Sequence, residues 1–318
     1  MRAVLFITGA TASGKTDVSL SLAKAFSGEI ISSDSMQVYR GMDIGTAKAT
    51  ESERREVRHH LLDVVSPDED FSVEQYRAMA LSAIDDIISR GKLPIVVGGT
   101  GLYIDALLRG PMSDAPKSDP EYRDRILASI KDDSDRHALW EKLNAIDPES
   151  AEKIHENNVR RVIRALEIYE ATGKTKTWFD ERSKESAADI FPLVVWLDYN
   201  DREILYKRIN LRVDKMIEEG LISEIESLRA AGYLDADTTA SQAIGYKEMI
   251  RHLDGKCSLS CACEEIKLSS RRYAKRQLTW FRHLDAERVL MDRQDGALRP
   301  KNEIISEITE LIKNKFQI

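Results

Sequence analysis

The sequence predicts an α/β protein, in which a parallel sheet flanked by helices carries an all-helical insertion. Three features of the chain support this prediction. A glycine-rich loop at residues 9–16 follows an apolar run that is typical of a strand. Strand and helix patterns then alternate, which is the order that parallel sheets require. From about Pro111 to Phe191 the strand patterns give way to charged helical segments, and they return at Leu193.

The loop Gly9-Ala10-Thr11-Ala12-Ser13-Gly14-Lys15-Thr16 is a complete phosphate-binding pattern, placed between a strand and a helix as that pattern requires. Its glycines let the backbone N–H groups point inward, Lys15 supplies a positive charge, and the Thr16 hydroxyl can bind Mg²⁺. The following helix adds the positive end of its dipole. The predicted fold is therefore P-loop NTPase-like, with a polyphosphate ligand that belongs either to a nucleotide or to another diphosphate.

The next elements place a carboxylate near this loop. Residues Asp17 to Phe26 read as the helix after the loop, and Glu29 to Ser32 read as a second strand that ends close to Asp34. Because ligands bind at the carboxyl edge of parallel strands, Asp34 is expected at the ligand site.

A stronger helix begins at Ser72, which forms a capping box with Gln75, and runs to Gly91. Pro94 to Val97 is then a buried strand, and the loop Gly98-Gly99-Thr100-Gly101 after it opens another helix. This order predicts that the loops after these strands face one crevice.

The helical region is interpreted as an insertion domain of residues 112–191 within a core domain of residues 1–111 and 192–318. It includes a helix start at Asp147-Pro148 and a helix from Asn158 to Thr172 that ends at Gly173. The core then resumes with a strand at Leu193 to Asp198, a helix at Asp201 to Glu219, a strand at Glu287 to Met291 and a terminal helix.

The composition is that of an ordinary globular protein, because the 318 residues are 42% hydrophobic and 32% charged, with a net charge of −7. No apolar run approaches the roughly 20 residues of a membrane span, and Met1-Arg2-Ala3 leads into a strand rather than a signal peptide. A cytoplasmic protein without membrane contact is therefore expected. Cys257, Cys261 and Cys263 lack the usual spacing of zinc ligands, and reduced thiols are expected there.

Polar residues at two strand ends are candidates for chemistry. Asp34 can act as a general base, as a contact to bound Mg²⁺ or as a turn residue, and the residues alone leave these alternatives open. Gln37 carries a donor and an acceptor that can pair with an adenine edge. The strand before Thr100 ends without a Walker B acid, which argues against ATP or GTP hydrolysis and leaves a hydroxyl that can orient a reacting group.

Basic residues gather in two places, although the whole chain is acidic. Arg160, Arg161 and Arg164 lie on one predicted helix, with Arg160 and Arg164 one turn apart. Residues 271–282 hold five cations, no acids and three aromatic side chains. Such a patch suits phosphate backbones and unpaired bases, so the two clusters together favour an anionic polymer as a partner.

Taken together, these segments resemble the tRNA dimethylallyltransferase family, a P-loop fold whose loop binds dimethylallyl diphosphate. The resemblance spans nearly the whole chain. The matching motifs are GATASGKT at 9–16, SDSMQVYRGMDIGTAK at 33–48, HHLLDV at 59–64, FSVEQYR at 71–77, VVGGTGLY at 96–103, RRVIRALEIYEATG at 160–173, AIGYKE at 243–248 and RRYAKRQLTWFR at 271–282. Ala10 stands where the family usually has proline, at a variable position of the loop pattern.

The resemblance implies a reaction in which the exocyclic amine of the adenosine 3′ to the anticodon attacks the allylic carbon and pyrophosphate leaves. It implies that Asp34 is the general base, Thr100 the orienting hydroxyl and Arg212 a diphosphate-binding residue. Mg²⁺ is the implied cofactor, with Thr16 as its ligand, and a monomer is the implied state.

The resemblance also implies tRNA as the partner, with the anticodon stem-loop bound by the insertion. The residues that match tRNA-contacting segments of the family are Asp34, Ser35, Met36, Gln37, Thr100, Arg123, Arg160, Arg161, Val162, Ile163, Arg164, Ala243, Ile244, Gly245, Tyr246, Lys247 and Glu248. Among these, Lys247 is expected to contact a phosphate and Tyr246 to stack on a base. A small-molecule or nucleoside kinase and a non-catalytic RNA-binding module are the alternative functions.

Overall fold

The computed structural model describes residues 2–110, 116, 119–185, 189–234 and 238–317. It divides into two compact units, one of Met1–Asp105 with Asp189–Ile318 and one of Ala106–Ala188. The domain boundary that we expected between residues 111 and 112 lies outside the described residues, and the boundary expected between residues 191 and 192 falls inside a strand.

The first unit is built on a sheet of six strands. They are β1 (Arg2–Gly9), β2 (Glu29–Ser33), β3 (His59–His60), β4 (Pro94–Gly98), β5 (Ile190–Asp198) and β6 (Glu287–Leu290). All neighbouring pairs are parallel, and the spatial order is β3-β2-β4-β1-β5-β6. This confirms the predicted α/β fold with a parallel sheet. β3 was not expected, since a strand of two residues leaves no periodic pattern.

The helices follow the strands in the expected alternation. They are α1 (Lys15–Ala25), α2 (Glu51–Glu56), α3 (Val73–Ser89), α4 (Gly101–Arg109), α5 (Pro120–Ser129), α6 (Asp133–Ile146), α7 (Pro148–Lys153), α8 (Val159–Thr172), α9 (Lys176–Glu185), α10 (Arg202–Glu218), α11 (Leu221–Ala230), α12 (Tyr246–Leu253), α13 (Leu259–Phe281) and α14 (Lys301–Phe316). The capping box predicted for Ser72 and Gln75 is confirmed. Among the described residues no helix is long and apolar enough to cross a membrane.

Register brings the carboxyl ends of the central strands to one edge. β1 lies between β4 and β5, where Thr8 is level with Gly98 on one side and with Trp196 on the other. Ser33, at the end of β2, is also level with Gly98. The loops that leave β1, β2 and β4 therefore start beside one another.

Two apolar cores support this edge. The first contains Leu5 and Ile7 of β1 together with Ile304 and Ile308 of α14, all of them almost completely buried. The second contains Val38 and Met42 from the segment after β2, packed against α10, α11, α12 and α13. The second core therefore determines where α10 and α13 meet the strand ends.

The second unit has a core of its own, formed by α5, α6, α7 and α8. Leu139 and Leu143 of α6 pack there with Val162 and Ile163 of α8. Described residues of this unit form helices, in agreement with the all-helical character expected for this part of the chain.

Glu29 anchors the start of β2 through a buried carboxylate that is surrounded by cations. Its carboxylate is 2% exposed and accepts hydrogen bonds from Arg90, Lys92 and His60, with Lys92 Nζ at 2.8 Å and His60 Nε2 at 2.7 Å. The bonds from Arg90, followed by those from Lys92 and His60, hold the pKa of Glu29 well below its usual value even though burial acts in the opposite direction.

We predict that Glu29→Gln lowers the free energy of unfolding by about 2–4 kcal/mol at pH 7, because cations that lie around a buried carboxylate lose their partner. A depressed carboxyl pKa contributes stability above the unfolded pKa of about 4.3, and this contribution is lost as the pH falls below it. The difference in the free energy of unfolding between Glu29→Gln and the native protein, measured by urea unfolding, should therefore be smaller at pH 3.5 than at pH 7. Glu56→Gln, which breaks an exposed ion pair with Lys24, should cost at most about 1 kcal/mol. Equal effects of the two substitutions would contradict the anchoring role.

Candidate active site

The loop between β1 and α1 turns sharply to present the start of α1. Gly14 has a φ of +95° and stands immediately before Lys15, the first residue of the helix. Gly9 is equally constrained, since a Cβ there would lie 2.6 Å from Ser13 Oγ and 2.8 Å from Leu197 O. These glycines allow the first backbone N–H groups of α1 to face the space in front of the strands, where an anion would be stabilised.

The backbone of Ala12 has a left-handed conformation, with a φ of +60°, which residues other than glycine rarely adopt. Its carbonyl accepts a hydrogen bond of 2.9 Å from Arg208 Nε on α10. A strained backbone persists only where its surroundings hold it in place. The loop therefore depends on a helix that lies far from it in the sequence.

The side chain of Lys15, the first residue of α1, reaches back over the loop. Its ammonium group donates to Gly9 O at 2.9 Å and to Ala10 O at 2.8 Å. Removal of water from around the group, followed by repulsion from Arg212, lowers the pKa of Lys15 to about 7, although the negative charge of Asp34 acts in the opposite direction. An arriving anion would stabilise the charged form of this lysine.

Asp34 and Thr100 follow β2 and β4 and lie at neighbouring strand ends. Asp34 Oδ1 accepts from the backbone N–H of Met36 at 2.9 Å, which closes a tight turn. Thr100 Oγ1 accepts from the N–H of Ser35 at 3.1 Å and donates to Ser35 Oγ at 3.4 Å. The approach of the two segments needs glycine, because a Cβ on Gly98 would lie 2.1 Å from Ser33 O.

A cavity of about 360 Å³ opens in front of these strand ends. Its walls include the loop from Thr11 to Thr16, Asp34, Gly98, Gly99 and Arg212. The prediction that loops after successive strands face one crevice is therefore confirmed.

A second cavity of about 310 Å³ adjoins the first. It is lined by Ser35, Met36 and Arg276, and by Ala243, Ile244, Gly245 and Lys247 from the segment that leads into α12. The residues that border both cavities are Thr11, Asp34, Thr46, Arg212 and Tyr273. Asp34 thus stands where the two cavities meet.

Tyr273 was not singled out in the sequence, and it borders both cavities from α13. Removal of water, followed by the negative charge of Asp34, raises the pKa of Tyr273 to about 12. Its side chain interacts with those of Thr100 and Gln277, and the Arg276 guanidinium lies 5.5 Å from the centre of its ring. Tyr273 therefore presents a neutral hydroxyl and an aromatic face to the junction.

Gln37 was expected to be able to pair with a base, but its amide is bonded at both ends. Oε1 accepts from Ser32 Oγ at 2.8 Å, and Nε2 donates to Thr46 O at 3.2 Å and Ala47 O at 3.3 Å. Arg212 also donates to Thr46 O, at 3.3 Å. Gln37 and Arg212 thus shape the wall made by the segment around Thr46.

Glu224 of α11 supports the same wall and was not expected from the sequence. Its carboxylate accepts from the backbone N–H groups of Asp43, Ile44 and Gly45 at 2.9, 2.6 and 3.2 Å. The hydroxyl of Tyr246 donates to it at 2.6 Å. Tyr246, which we expected to stack on a base, is fully buried and belongs to this support.

The residues around Tyr246 are of two kinds, some buried and others lining the second cavity. Ala243 and Glu248 are buried, and Glu248 Oε2 accepts from Gly245 N at 2.8 Å at the start of α12. Ile244 and Lys247 are partly exposed and line the second cavity. This segment therefore offers Lys247 as its cation toward that cavity.

The basic residues expected on the insertion have different surroundings. Arg123 and Arg164 both bond the buried carboxylate of Glu167, with Nη2 of Arg123 at 2.9 Å and Nη1 of Arg164 at 2.6 Å, and Arg164 also donates to Pro116 O. Val162 and Ile163 are each 1% exposed and belong to the core of this unit. Arg160 and Arg161 are exposed on α8.

The parallel sheet and the glycine-rich loop before α1 define an α/β fold of the P-loop-like class, with a cavity along that loop. A model of the IPP transferase family matches residues 37–284, and the chain belongs to that family, as its motifs indicated.

The chain is similar over almost its full length to curated and solved members of that family. It is 47% identical over 315 residues to the tRNA dimethylallyltransferase of Anoxybacillus flavithermus, covering 98% of this chain and 97% of that protein. It is 51% identical over 282 residues to that of Geobacillus thermodenitrificans, covering 88% and 87%.

Two solved structures have a similar fold. The full-length tRNA isopentenylpyrophosphate transferase of Bacillus halodurans is 42% identical, with a TM-score of 0.69 over 100% of this chain and 99% of that chain. A eukaryotic dimethylallyltransferase acting on tRNA is 32% identical, with a TM-score of 0.79 over 99% and 80%.

The surroundings of Lys15 predict that a diphosphate binds together with a proton above pH 7. The lysine has a pKa of about 7 without the ligand, and a neighbouring anion raises that pKa. Affinity for an alkyl diphosphate, whose own last ionisation lies at about pH 6, should therefore be greatest between about pH 6 and pH 7 and fall as the pH rises to 9. Calorimetry in two buffers of different ionisation enthalpy should show proton uptake at pH 8, and Lys15→Arg should remove it. Binding without proton uptake at pH 8 would contradict this prediction.

Proposed function

We propose that this chain is a tRNA dimethylallyltransferase, which transfers the dimethylallyl group of dimethylallyl diphosphate to N6 of the adenosine 3′ to the anticodon (position 37) and releases pyrophosphate. The observation that carries the proposal is the position of Asp34 between two adjoining cavities. One of them is walled by a phosphate-binding loop, and the other is open to a second substrate. The names of the relatives support the same reaction.

In this proposal the diphosphate lies in the first cavity. The backbone N–H groups at the start of α1, together with Lys15 and Arg212, offset its negative charge. That charge grows on the leaving pyrophosphate as the carbon–oxygen bond breaks, so these groups stabilise the transition state more than the ground state.

Mg²⁺ is the proposed cofactor, and Thr16 fits it. The Thr16 hydroxyl is exposed on the wall of the first cavity at the start of α1. Mg²⁺ prefers oxygen ligands, keeps several waters and often takes its other ligands from substrate phosphates, so one protein hydroxyl suffices for a metal bound with the diphosphate. The metal would supply charge neutralisation for the leaving group.

The acceptor adenine enters the second cavity in this proposal, with N6 directed at the junction. The N6 lone pair forms the new bond to the allylic carbon, the electron pair of the broken bond leaves on pyrophosphate, and the N6 proton passes to the carboxylate of Asp34. The neutral hydroxyl of Tyr273, and Thr100, which interacts with the Tyr273 side chain, are proposed to orient the amine. An adenine stacked in an RNA loop must be extruded to reach this position.

We propose that the anticodon stem-loop is bound in part by α8 of the second unit, where Arg160 and Arg161 are exposed. The side chains of Arg123 and Arg164 are proposed to maintain α5 and α8 through Glu167, because both already bond that carboxylate. The enzyme is proposed to act in the cytoplasm, as expected from its sequence, and as a monomer, as the family resemblance implies.

The decisive experiment compares two donors in parallel reactions. The purified protein is incubated with Mg²⁺, unmodified anticodon stem-loop RNA and radiolabelled dimethylallyl diphosphate, and a parallel reaction contains labelled ATP. Label on the adenine supports the proposal. Phosphate transfer from ATP without prenylation would instead indicate a kinase, and RNA binding without either transfer would indicate a binding module. Proteins that hydrolyse ATP commonly have an acidic residue after this strand, whereas β4 is followed here by Gly99 and Thr100. We therefore do not expect ATP turnover.

For Asp34 we predict that the Asn variant lowers kcat by about 10²–10⁴-fold, because the proton acceptor is lost. The Kd for the stem-loop, measured by filter binding, should remain within about twofold of the native value, since the amide keeps the shape of the carboxylate. Asp85→Asn, in an exposed pair with Arg2, should behave like the native protein. Loss of RNA binding in Asp34→Asn with an unchanged kcat would make Asp34 a recognition residue.

For α8 we predict that removing the exposed arginines weakens RNA binding electrostatically. Arg160→Ala and Arg161→Ala should each reduce the slope of log Kd against log salt by about 0.7–0.9, the value for one lost phosphate contact. Arg164→Ala should mainly reduce the stability of the second unit, because it leaves Glu167 with one cation fewer. A reduced slope for Arg164→Ala with unchanged stability would instead indicate that Arg164 contacts a phosphate of the RNA.

A further inference from the structure

Gln277 connects two loops that line the first cavity. It lies on α13, and its side chain is buried, with the residue 7% exposed. Its Oε1 accepts from the backbone N–H of Thr11, in the phosphate loop, at 2.9 Å. Its Nε2 donates to the carbonyl of Gly99, in the loop after β4, also at 2.9 Å. One side chain therefore connects the two loops that follow β1 and β4.

An amide satisfies both partners, whereas an ionised carboxylate cannot. One end must accept from an N–H group and the other must donate to a carbonyl oxygen, so the partners determine the orientation of the amide. The fit is tight, because a Cβ on Gly99 would lie 2.2 Å from Nε2. A carboxylate at this position would direct an unprotonated oxygen at the Gly99 carbonyl and repel it.

The bridge acts on the most constrained part of the phosphate loop. Thr11 directly precedes Ala12, whose φ is +60°. Arg208 holds the Ala12 carbonyl from α10, and Gln277 holds the Thr11 N–H from α13. The left-handed turn is thus fixed on both sides by helices that are remote in the sequence, which is the condition for a strained conformation to persist.

We propose that Gln277 is a positioning residue for the diphosphate, which sets the shape of the phosphate loop and its distance from the loop that carries Thr100. This inference rests on the proposed function for the identity of the substrate but concerns anion binding itself. The Gln277 amide bonds the backbone at both ends and also interacts with the Tyr273 side chain, and its effect on the phosphates is proposed to act through the N–H groups of the loop. Misplacement of a bound group by about 1 Å can cost about a hundredfold in rate.

The test measures binding of inorganic pyrophosphate to Gln277→Glu, Gln277→Ala and the native protein from pH 4, which is below the ordinary glutamate pKa of about 4.3, to pH 8. Gln294→Glu, a substitution with the same charge change at an exposed position, is the matched control. Affinities are expressed relative to the native protein at each pH, which cancels the titration of pyrophosphate and of groups common to all variants.

Gln277→Glu should bind pyrophosphate at least about tenfold more weakly at pH 8 and recover as the pH falls, because the protonated carboxyl group can again donate to Gly99 O while it accepts from Thr11 N–H. Gln277→Ala should be weakened at every pH, since it loses both bonds without adding a charge. Gln294→Glu should match the native protein throughout. In the transfer reaction, kcat/KM for dimethylallyl diphosphate should fall in both Gln277 variants, whereas KM for the RNA should not change.

Two results would overturn the proposal. A folded Gln277→Ala that binds pyrophosphate within about twofold of the native protein would show that the bridge does not position the loop. If the alanine variant does not fold, the glutamate variant decides, and a pH-independent affinity ratio would count against the bridge. Because pyrophosphate binding is measured without prenyl transfer, failure of the proposed reaction would leave this test intact.

Discussion

The constraint on which this site depends is the placement of two cations, Lys15 and Arg212, around one carboxylate, Asp34, at the ends of the strands. Repulsion from Arg212 contributes to the low pKa of Lys15, and burial lowers the pKa of Arg212 as well. Asp34 offsets only part of this positive charge. The arrangement therefore favours a multiply charged anion in front of the phosphate loop, and it leaves the Asp34 carboxylate at the junction of the two cavities.

Most polar side chains near the cavities bond the protein backbone. Gln37 and Arg212 bond the carbonyl of Thr46, Glu224 bonds three consecutive backbone N–H groups, and Gln277 connects two loops. Preorganised walls of this kind reduce the reorganisation needed when charge moves during the reaction. The groups that we propose to react border cavities whose walls are built by different parts of the chain.

Local features were predictable from the sequence, and long-range ones were not. The phosphate loop, the capping box at Ser72 and the alternation of strands and helices depend on residues a few positions apart. Gln277 lies 266 residues from Thr11, and Glu224 lies 180 residues from Ile44, so no local pattern could pair them. Burial of Tyr246 depends on the same long-range packing. The ion pair between Arg164 and Glu167 could have been predicted from the sequence, since the two residues are three positions apart on one helix.

We propose that a diphosphate donor and an adenine meet at Asp34, and a crystal structure of a ternary complex would show whether they do. The complex would contain anticodon stem-loop RNA and a dimethylallyl thiodiphosphate analogue that cannot react. We expect the diphosphate on the loop of residues 9–16, the adenine extruded into the second cavity, and N6 within about 3.5 Å of both the allylic carbon and a carboxylate oxygen of Asp34. An adenine bound elsewhere, with N6 out of reach of Asp34, would contradict it.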